Sequence, residues 1–305
     1  MKYNVDLADL DCIHLTYDEP NAEENWIKIK NMVPWARRVA GVKGSDAAHK
    51  AAADASTTDR FVLVDGDNIP DPTFFNLSLE VDEACVYRWR AKNYINGLMY
   101  GNGGLSVWSK EFVYAMRTHE ASDGLVENDV EFCFYPNYYA MHDCYSTTYP
   151  NGSAFQAWRA GFREGVKMCL NKGAKPSLSE FQVRVHHRNL DHLTIWHNVG
   201  RDVEHGIWAM AGSRMGTYMT MLTEWDHRAV QDFSALEELW KTVENSNPEI
   251  LAGRVAEDLA TQIGLPINNL GEQESAFFKQ HYRSNWHNQG VMVREIDIIK
   301  QQEGW

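Results

Sequence analysis

RFVLVDGDNIPDPTFF, residues 60–75, is the stretch on which the reading of the fold turns. Phe61 to Val64 is continuously apolar, as expected of a strand covered on both faces in a parallel sheet. Two carboxylates, Asp65 and Asp67, then emerge one residue apart at its C-terminal end. That edge is where open α/β sheets bind ligands. Gly66 between them lets the backbone turn sharply and approach a ligand closely. Two hard oxygen donors so placed suit Mg²⁺ or Mn²⁺, which in turn neutralises a diphosphate. The alternative reading is an acidic β-turn, since Asp-Gly is a common turn pair.

Upstream, Asp11 to Thr16 reads as a first strand running into the polar loop Tyr17-Asp18-Glu19-Pro20-Asn21. Helical residues follow as far as Pro34, and Val39 to Val42 reads as a second short strand. Ser45 is a good N-cap for the alanine-rich helix Asp46 to Asp54. The order strand, helix, strand, helix, strand is an α/β pattern with a Rossmann-like half. Downstream, Val81 to Trp89, Gly104 to Trp108 and Val130 to Tyr139 read as strands. Ala154 to Leu170, Ile207 to Leu222, Ala235 to Glu244 and Glu249 to Ile263 read as helices. The character changes near Pro150, a soft boundary that divides the chain into an α/β core over 1–150 and a helix-rich part over 151–305. No GxGxxG follows the first strand and no GxxxxGK[ST] occurs, which disfavours a dinucleotide dehydrogenase and a P-loop enzyme.

The net charge is −13, which opposes long-range attraction to nucleic acid or anionic membranes. It is unevenly spread. Gln156 to Arg201 holds eight Lys/Arg against three Asp/Glu, a net +5, whereas Glu224 to Trp305 holds seven against fourteen, a net −7. The middle segment can face an anion, or it is ordinary surface scatter. Cys12, Cys85, Cys133, Cys144 and Cys169 are odd in number and scattered, so reduced thiols are expected rather than a disulfide frame or a zinc site. No apolar run approaches the roughly 20 residues of a membrane helix and the N-terminus lacks a signal core. The expected location is cytoplasmic, with no membrane partner. Oligomeric state is not legible.

Gly44, the alanine-rich helix, the strand ending in Asp65-Gly66-Asp67 and the loop Ile69-Pro70-Asp71-Pro72 together resemble the GT-A glycosyltransferase superfamily, family-2-like members in particular. The resemblance implies a GT-A-like central mixed sheet flanked by helices. It implies transfer of a sugar from a nucleoside diphosphate sugar, a UDP-sugar first, to a hydroxyl acceptor with Mn²⁺ or Mg²⁺. Asp67 would ligate the metal, and Asp65 the metal or the ribose. Thr16, Tyr17 and Asp18 would cradle the base, and Lys43 would reach the diphosphate unless it is a plain surface lysine. Tyr100-Gly-Asn-Gly-Gly104 would form a loop bringing the Gly103 and Gly104 amides to the donor sugar, although Asn-Gly-Gly also suits a hairpin turn.

Gly41 to Gly44, Leu98 to Gly104, Ala157 to Lys167 and Asp202 to Gly216 are similar to glycosyltransferases of tailed bacteriophages. This likeness covers roughly residues 10–220 and implies a hydroxymethylated base in phage DNA as acceptor, with double-stranded DNA as a partner. A glycan or small-molecule acceptor, or a degenerate GT-A binding module, are the rival readings.

An inverting enzyme of this kind needs a carboxylate base, often in an acidic pair opening a helix. Glu127-Asn128-Asp129 departs from that pair by one residue. Asp129 is the first candidate and Glu127 the second, while helix-terminal acidity alone explains both equally. For a third metal ligand, His142 ranks ahead of His186, His187 and His197. Arg159, Arg163 and Lys167 fall at i, i+4 and i+8 on one helix face, a stripe able to meet a diphosphate or DNA phosphates. A solvated face with a Glu164 ion pair is the alternative. Arg184 to Arg188 is a second candidate for phosphate contact.

Overall fold

The computed structural model describes residues 2–83, 85–116, 137–281, 293 and 295–303. Its elements run β1 (Lys2–Asp6), β2 (Asp11–Thr16), α1 (Ala22–Met32), β3 (Arg37–Ala40), α2 (Ser45–Ala55), β4 (Arg60–Asp65), β5 (Asn68–Pro70), β6 (Ser78–Asp82), β7 (Val86–Asn93), β8 (Met99–Ser109), α3 (Lys110–Ala115) and β9 (Tyr138–Thr148). There follow α4 (Ala154–Met168), α5 (Phe181–Arg184), α6 (His187–Asn198), α7 (Gly206–Leu222), α8 (Phe233–Lys241), α9 (Pro248–Arg254), α10 (Ala256–Gln262), α11 (Glu272–His281) and α12 (Ile296–Glu303). Two compact units result, Met1–Asn93 with Met99–Tyr149, and Tyr94–Leu98 with Pro150–Trp305.

The first unit is α/β. Its main sheet is mixed, in the order β3-β2-β4-β8-β7-β9-β5. β2 pairs in parallel with both β3 and β4, and β8 lies antiparallel to β4. β4 is covered on both faces, as its composition predicts. Val62 and Val64 join the core beneath α1 with Cys12, Ile29 and Val33. Phe61 and Leu63 point the other way, into a core with Ile13, Ala52, Ala53 and Trp108. A run without alternation is what two apolar faces require.

Four expectations change. Val81 to Trp89 is not one strand: it is divided between β6, in a small sheet with β1, and β7 in the main sheet. The buried Arg60 guanidinium accounts for the break, because it donates to the carbonyls of Asp82, Glu83 and Cys85 and so turns the chain there. Tyr100 to Gly104 is not a loop but part of β8, with Gly101 opposite Arg90. The Arg88 guanidinium lies over it, 2.2 Å from where a Cβ on Gly101 would stand. Ile69 and Pro70 belong to β5, which pairs with β9 at the sheet edge where proline is tolerated. The N-cap of α2 is Gly44, at φ 92°, and Ser45 is the first helical residue. Of the expected strand Val130 to Tyr139, residues 130–136 lie outside the described residues, and β9 continues to Thr148.

The second unit is helical and centres on the crossing of α4 and α7. Gly161 and Gly165 on α4 meet the backbone of Ala209 and Ser213 on α7, and Gly212 and Gly216 on α7 meet that of Trp158 and Phe162 on α4. A Cβ on Gly161 would come within 1.9 Å of the Ala209 carbonyl oxygen, and one on Gly212 within 2.1 Å of that of Trp158. The two backbones therefore touch. Around the contact lie Trp158, Phe162, Trp225 and Trp240. Arg214 is fully buried on α7 and donates to the carbonyls of His197 and Ala252 and to Asn269 Oδ1. Glu249 to Ile263 is two helices rather than one, α9 and α10. Among the described residues no helix is long and apolar enough to cross a membrane. Cys12, Cys85, Cys144 and Cys169 are free thiols, and Cys133 lies outside the described residues.

This contact generates a paired prediction. Gly212→Ala forces backbone apart and is expected to cost about 3 kcal/mol. Gly253→Ala in α9, where an added Cβ meets nothing within 4 Å, is expected to gain up to about 1 kcal/mol. Denaturant unfolding of the two variants checks both, and equal stabilities would reject the backbone-contact account.

Candidate functional site

Three parallel strands, β3, β2 and β4, end at one edge of the main sheet, and the loops leaving them form the site. Register sets their alignment: Thr16 lies beside Ala40, and Leu15 beside Asp65. On the far side of β4, Val64 pairs with Leu105, so the next residue of each strand brings Gly104 opposite Asp65. The sheet thus gathers Tyr17-Asp18-Glu19, Lys43 in the link from β3 to α2, Asp65-Gly66-Asp67, and the Gly103–Gly104 segment.

The turn after β4 is clamped by its backbone. Asn25 Nδ2 donates to the Gly66 carbonyl at 2.8 Å, in a buried position on α1. Tyr149 N–H donates to the Asp67 carbonyl at 2.7 Å, and Asn21 Nδ2 to the Tyr149 carbonyl at 3.3 Å. β5 then carries the chain away against Thr148. Behind the turn, buried His14 stacks on Trp26 with ring centroids 5.9 Å apart. Burial first, then Arg38, pushes its pKa down to about 4, so it is neutral at neutral pH.

Glu19 is the site residue that sequence reading passed over. Its Oε2 accepts from the Tyr17 N–H at 2.8 Å. A Cβ on Gly66 would stand 2.6 Å from that same oxygen. Glycine at 66 is therefore what admits the Glu19 carboxylate to the turn. Burial first, then the negative charges of Asp67 and Glu19, push the Asp65 pKa up to about 8. The charges acting on Asp65 are thus carboxylates, an arrangement that a divalent cation would relieve.

Among the described residues no three His, Cys, Asp or Glu side chains stand close enough to hold one metal ion by themselves. Asp65 and Asp67, with Glu19 alongside, nevertheless have the chemistry for one. Mg²⁺ is commonly bound by one or two carboxylates, with waters and substrate phosphates completing the shell.

Other expected residues fare differently. Thr16 is 2% exposed and its Oγ1 accepts from Arg38 Nε at 3.0 Å, so the surface of that loop is made by Tyr17 and Asp18 instead. Lys43 is exposed at the same sheet edge. His142 is not placed to be a metal ligand beside Asp67. It sits within β9 with Nδ1 3.2 Å from an Arg90 guanidinium nitrogen. Measured along β7, it is roughly 13 Å of strand back from Thr148. Glu127 and Asp129 lie outside the described residues. The Arg159, Arg163 and Lys167 stripe is not an open face. The Arg159 and Arg163 guanidinium groups lie over the Phe233 ring at 5.3 and 4.8 Å, and Lys167 pairs with Glu164 at 2.5 Å. Of the later histidines, His197 is buried with Nε2 3.0 Å from Thr217 Oγ1, a core partnership.

No protein-family model, no curated protein and no solved structure matches this chain.

The Asp65 environment predicts a pH dependence. The folded state keeps the Asp65 proton up to about pH 8, while the unfolded chain releases it near 3.8. Between those values the native state binds more protons, so this group's contribution to stability falls as pH rises. Asp65→Asn stays neutral throughout. Its melting temperature relative to the parent, without divalent cation, is expected to increase from about pH 5 to about pH 8. A difference independent of pH would reject the assignment.

Proposed function

We propose that this chain is a divalent-cation-dependent glycosyltransferase with a GT-A-like core, using a nucleoside diphosphate sugar as donor. The observation that carries the reading is the convergence of Asp65, Asp67 and Glu19 at the C-terminal edge of parallel strands. There Asp65 is desolvated among other carboxylates. Such an edge is where α/β sheets take nucleotide ligands.

In this reading Asp65 and Asp67 hold Mn²⁺ or Mg²⁺, and the cation supplies charge neutralisation for the departing diphosphate. Asp67 is held through its backbone by Tyr149, so its position survives a change of side chain. Tyr17 and Asp18 provide the surface for base and ribose, with Thr16 acting beneath them through Arg38. Lys43 meets phosphate from the neighbouring loop. Gly103 and Gly104 keep the strand beside Asp65 free of side chains, leaving room for the sugar. Asp129, with Glu127 second, remains the proposed base for the acceptor hydroxyl.

For the acceptor, a hydroxymethylated base in phage DNA follows from the resemblance over residues 10–220. A glycan or small-molecule acceptor is the second reading. It is favoured by the packing of Arg159 and Arg163 on Phe233 and the pairing of Lys167, which takes that stripe away from phosphates.

Titration calorimetry tests the donor side. UDP is expected to bind at least about tenfold more weakly without Mn²⁺ or Mg²⁺, because the carboxylates repel a bare diphosphate. Asp67→Ala is expected to abolish the cation effect and sugar transfer while leaving the melting temperature nearly unchanged. Equal UDP affinity with and without cation would sink the reading. Transfer is assayed with UDP-sugars against DNA carrying hydroxymethylated pyrimidines and against glycans, and the product identifies the acceptor.

A further inference from the structure

The second unit carries a pocket that the donor site does not use. It has a volume of about 460 Å³ and lies between the end of α4, the short helix α5 and the start of α6. Lys172, Arg184, His186 and His187 line it together with Asn189 and Gln182, and among the described residues no carboxylate lines it. In a chain of net charge −13, a cavity whose charged lining residues, among those described, are basic is a local departure from the overall sign.

Lys172 and His186 are placed by local backbone structure. Lys172 and Gly173 form the tip of a two-residue turn, with Asn171 N–H donating to the Ala174 carbonyl at 2.9 Å and Ala174 N–H to that of Asn171 at 3.1 Å. Both tip residues are left-handed, at φ 50° and 85°. Glycine or asparagine is the usual choice there, and lysine costs about 1 kcal/mol more than glycine. His186 caps α6, its Nδ1 accepting from the Arg188 N–H at 3.2 Å. Its ring lies 4.3 Å from that of His187. The positive end of the 12-residue α6 adds to the same field. Burial first, then the charges of His187 and Arg188, hold the His186 pKa below its ordinary value. Arg184 reaches Glu180 at 3.4 Å, but both are exposed, and such a pair is weak enough to exchange for a better anion.

The remaining wall is apolar. Leu170 and Val185 are buried, while Val183 is 84% exposed at the lip. The volume falls in the range of small-molecule sites and is several times what a phosphate ion fills. We propose that this pocket binds a small phosphomonoester, its phosphate held by Lys172, Arg184 and the imidazole pair and its organic body against Val183. The site is independent of the donor site and of the glycosyltransferase reading.

Calorimetry with ribose 5-phosphate, inorganic phosphate and neutral ribose on the full chain tests it. Saturable binding of ribose 5-phosphate, weaker binding of phosphate and none of ribose are expected. Lys172→Gly relieves the left-handed strain, so it should keep or raise the melting temperature while weakening ribose 5-phosphate by about tenfold. Arg184→Gln should weaken it similarly, and Asp67→Ala should leave it unchanged. No saturable binding, or binding unaltered by both Lys172→Gly and Arg184→Gln, overturns the proposal. Loss of binding in Asp67→Ala overturns it too, by moving the ligand to the donor site. Displacement of ribose 5-phosphate by an equimolar DNA duplex would assign the pocket to phosphodiester backbone instead.

Discussion

Full enclosure of β4 is the constraint on which the first unit depends. Its two edges hydrogen-bond to β2 and β8, and its side chains enter two separate cores. Every residue from Arg60 to Val64 is buried. Asp65 is therefore the first position at which a carboxylate can be tolerated, and it is still desolvated enough for its pKa to rise. Shifting the strand by one residue would exchange its two apolar faces and draw Asp65 into the sheet. The register that preserves the core is thus the register that presents the acidic turn.

The turn is held by neutral groups. Asn25 and Tyr149 secure the carbonyls of Gly66 and Asp67, while three carboxylates face a common region. Backbone clamps fix the turn that brings these like charges together. In the proposed reading a cation and an anionic ligand complete this surface.

The helical unit shows how tertiary packing redistributes charge that looks alike in sequence. Arg159 and Arg163 spend their cations on the Phe233 ring, and Lys167 on Glu164. Lys172 and Arg184 instead line a pocket, Arg184 within 3.4 Å of the exposed Glu180 carboxylate. The close crossing of α4 and α7 lies behind this difference. With four glycines at the contact, the buried face of α4 is taken up by backbone approach and tryptophans, and its basic stripe is left for a neighbouring phenylalanine to cover. The GxxxG spacing of Gly161/Gly165 and of Gly212/Gly216 was a legible signal for that crossing, since small residues four apart on a helix form one flat face.

Much of the first unit was determined locally. An unbroken apolar run from Phe61 to Val64 needs two covered faces, an alanine-rich segment after glycine makes α2, and polar residues from Tyr17 to Asn21 end a strand. These are properties of neighbouring residues, and they sufficed for the α/β class and for the Asp65-Gly66-Asp67 turn. Tertiary structure decided what depends on partners distant in sequence. Glu19 meets Gly66 only because β2 and β4 are parallel in a particular register. Gly103 and Gly104 lie inside β8, next to the Leu105 that pairs with Val64, because the strand overrides the turn propensity of Asn-Gly-Gly. His142 is carried away from the acidic turn by the extension of β9. In each case the residue types were visible in the chain, but hydrogen-bond register and side-chain packing, which act across tens of residues, chose their neighbours.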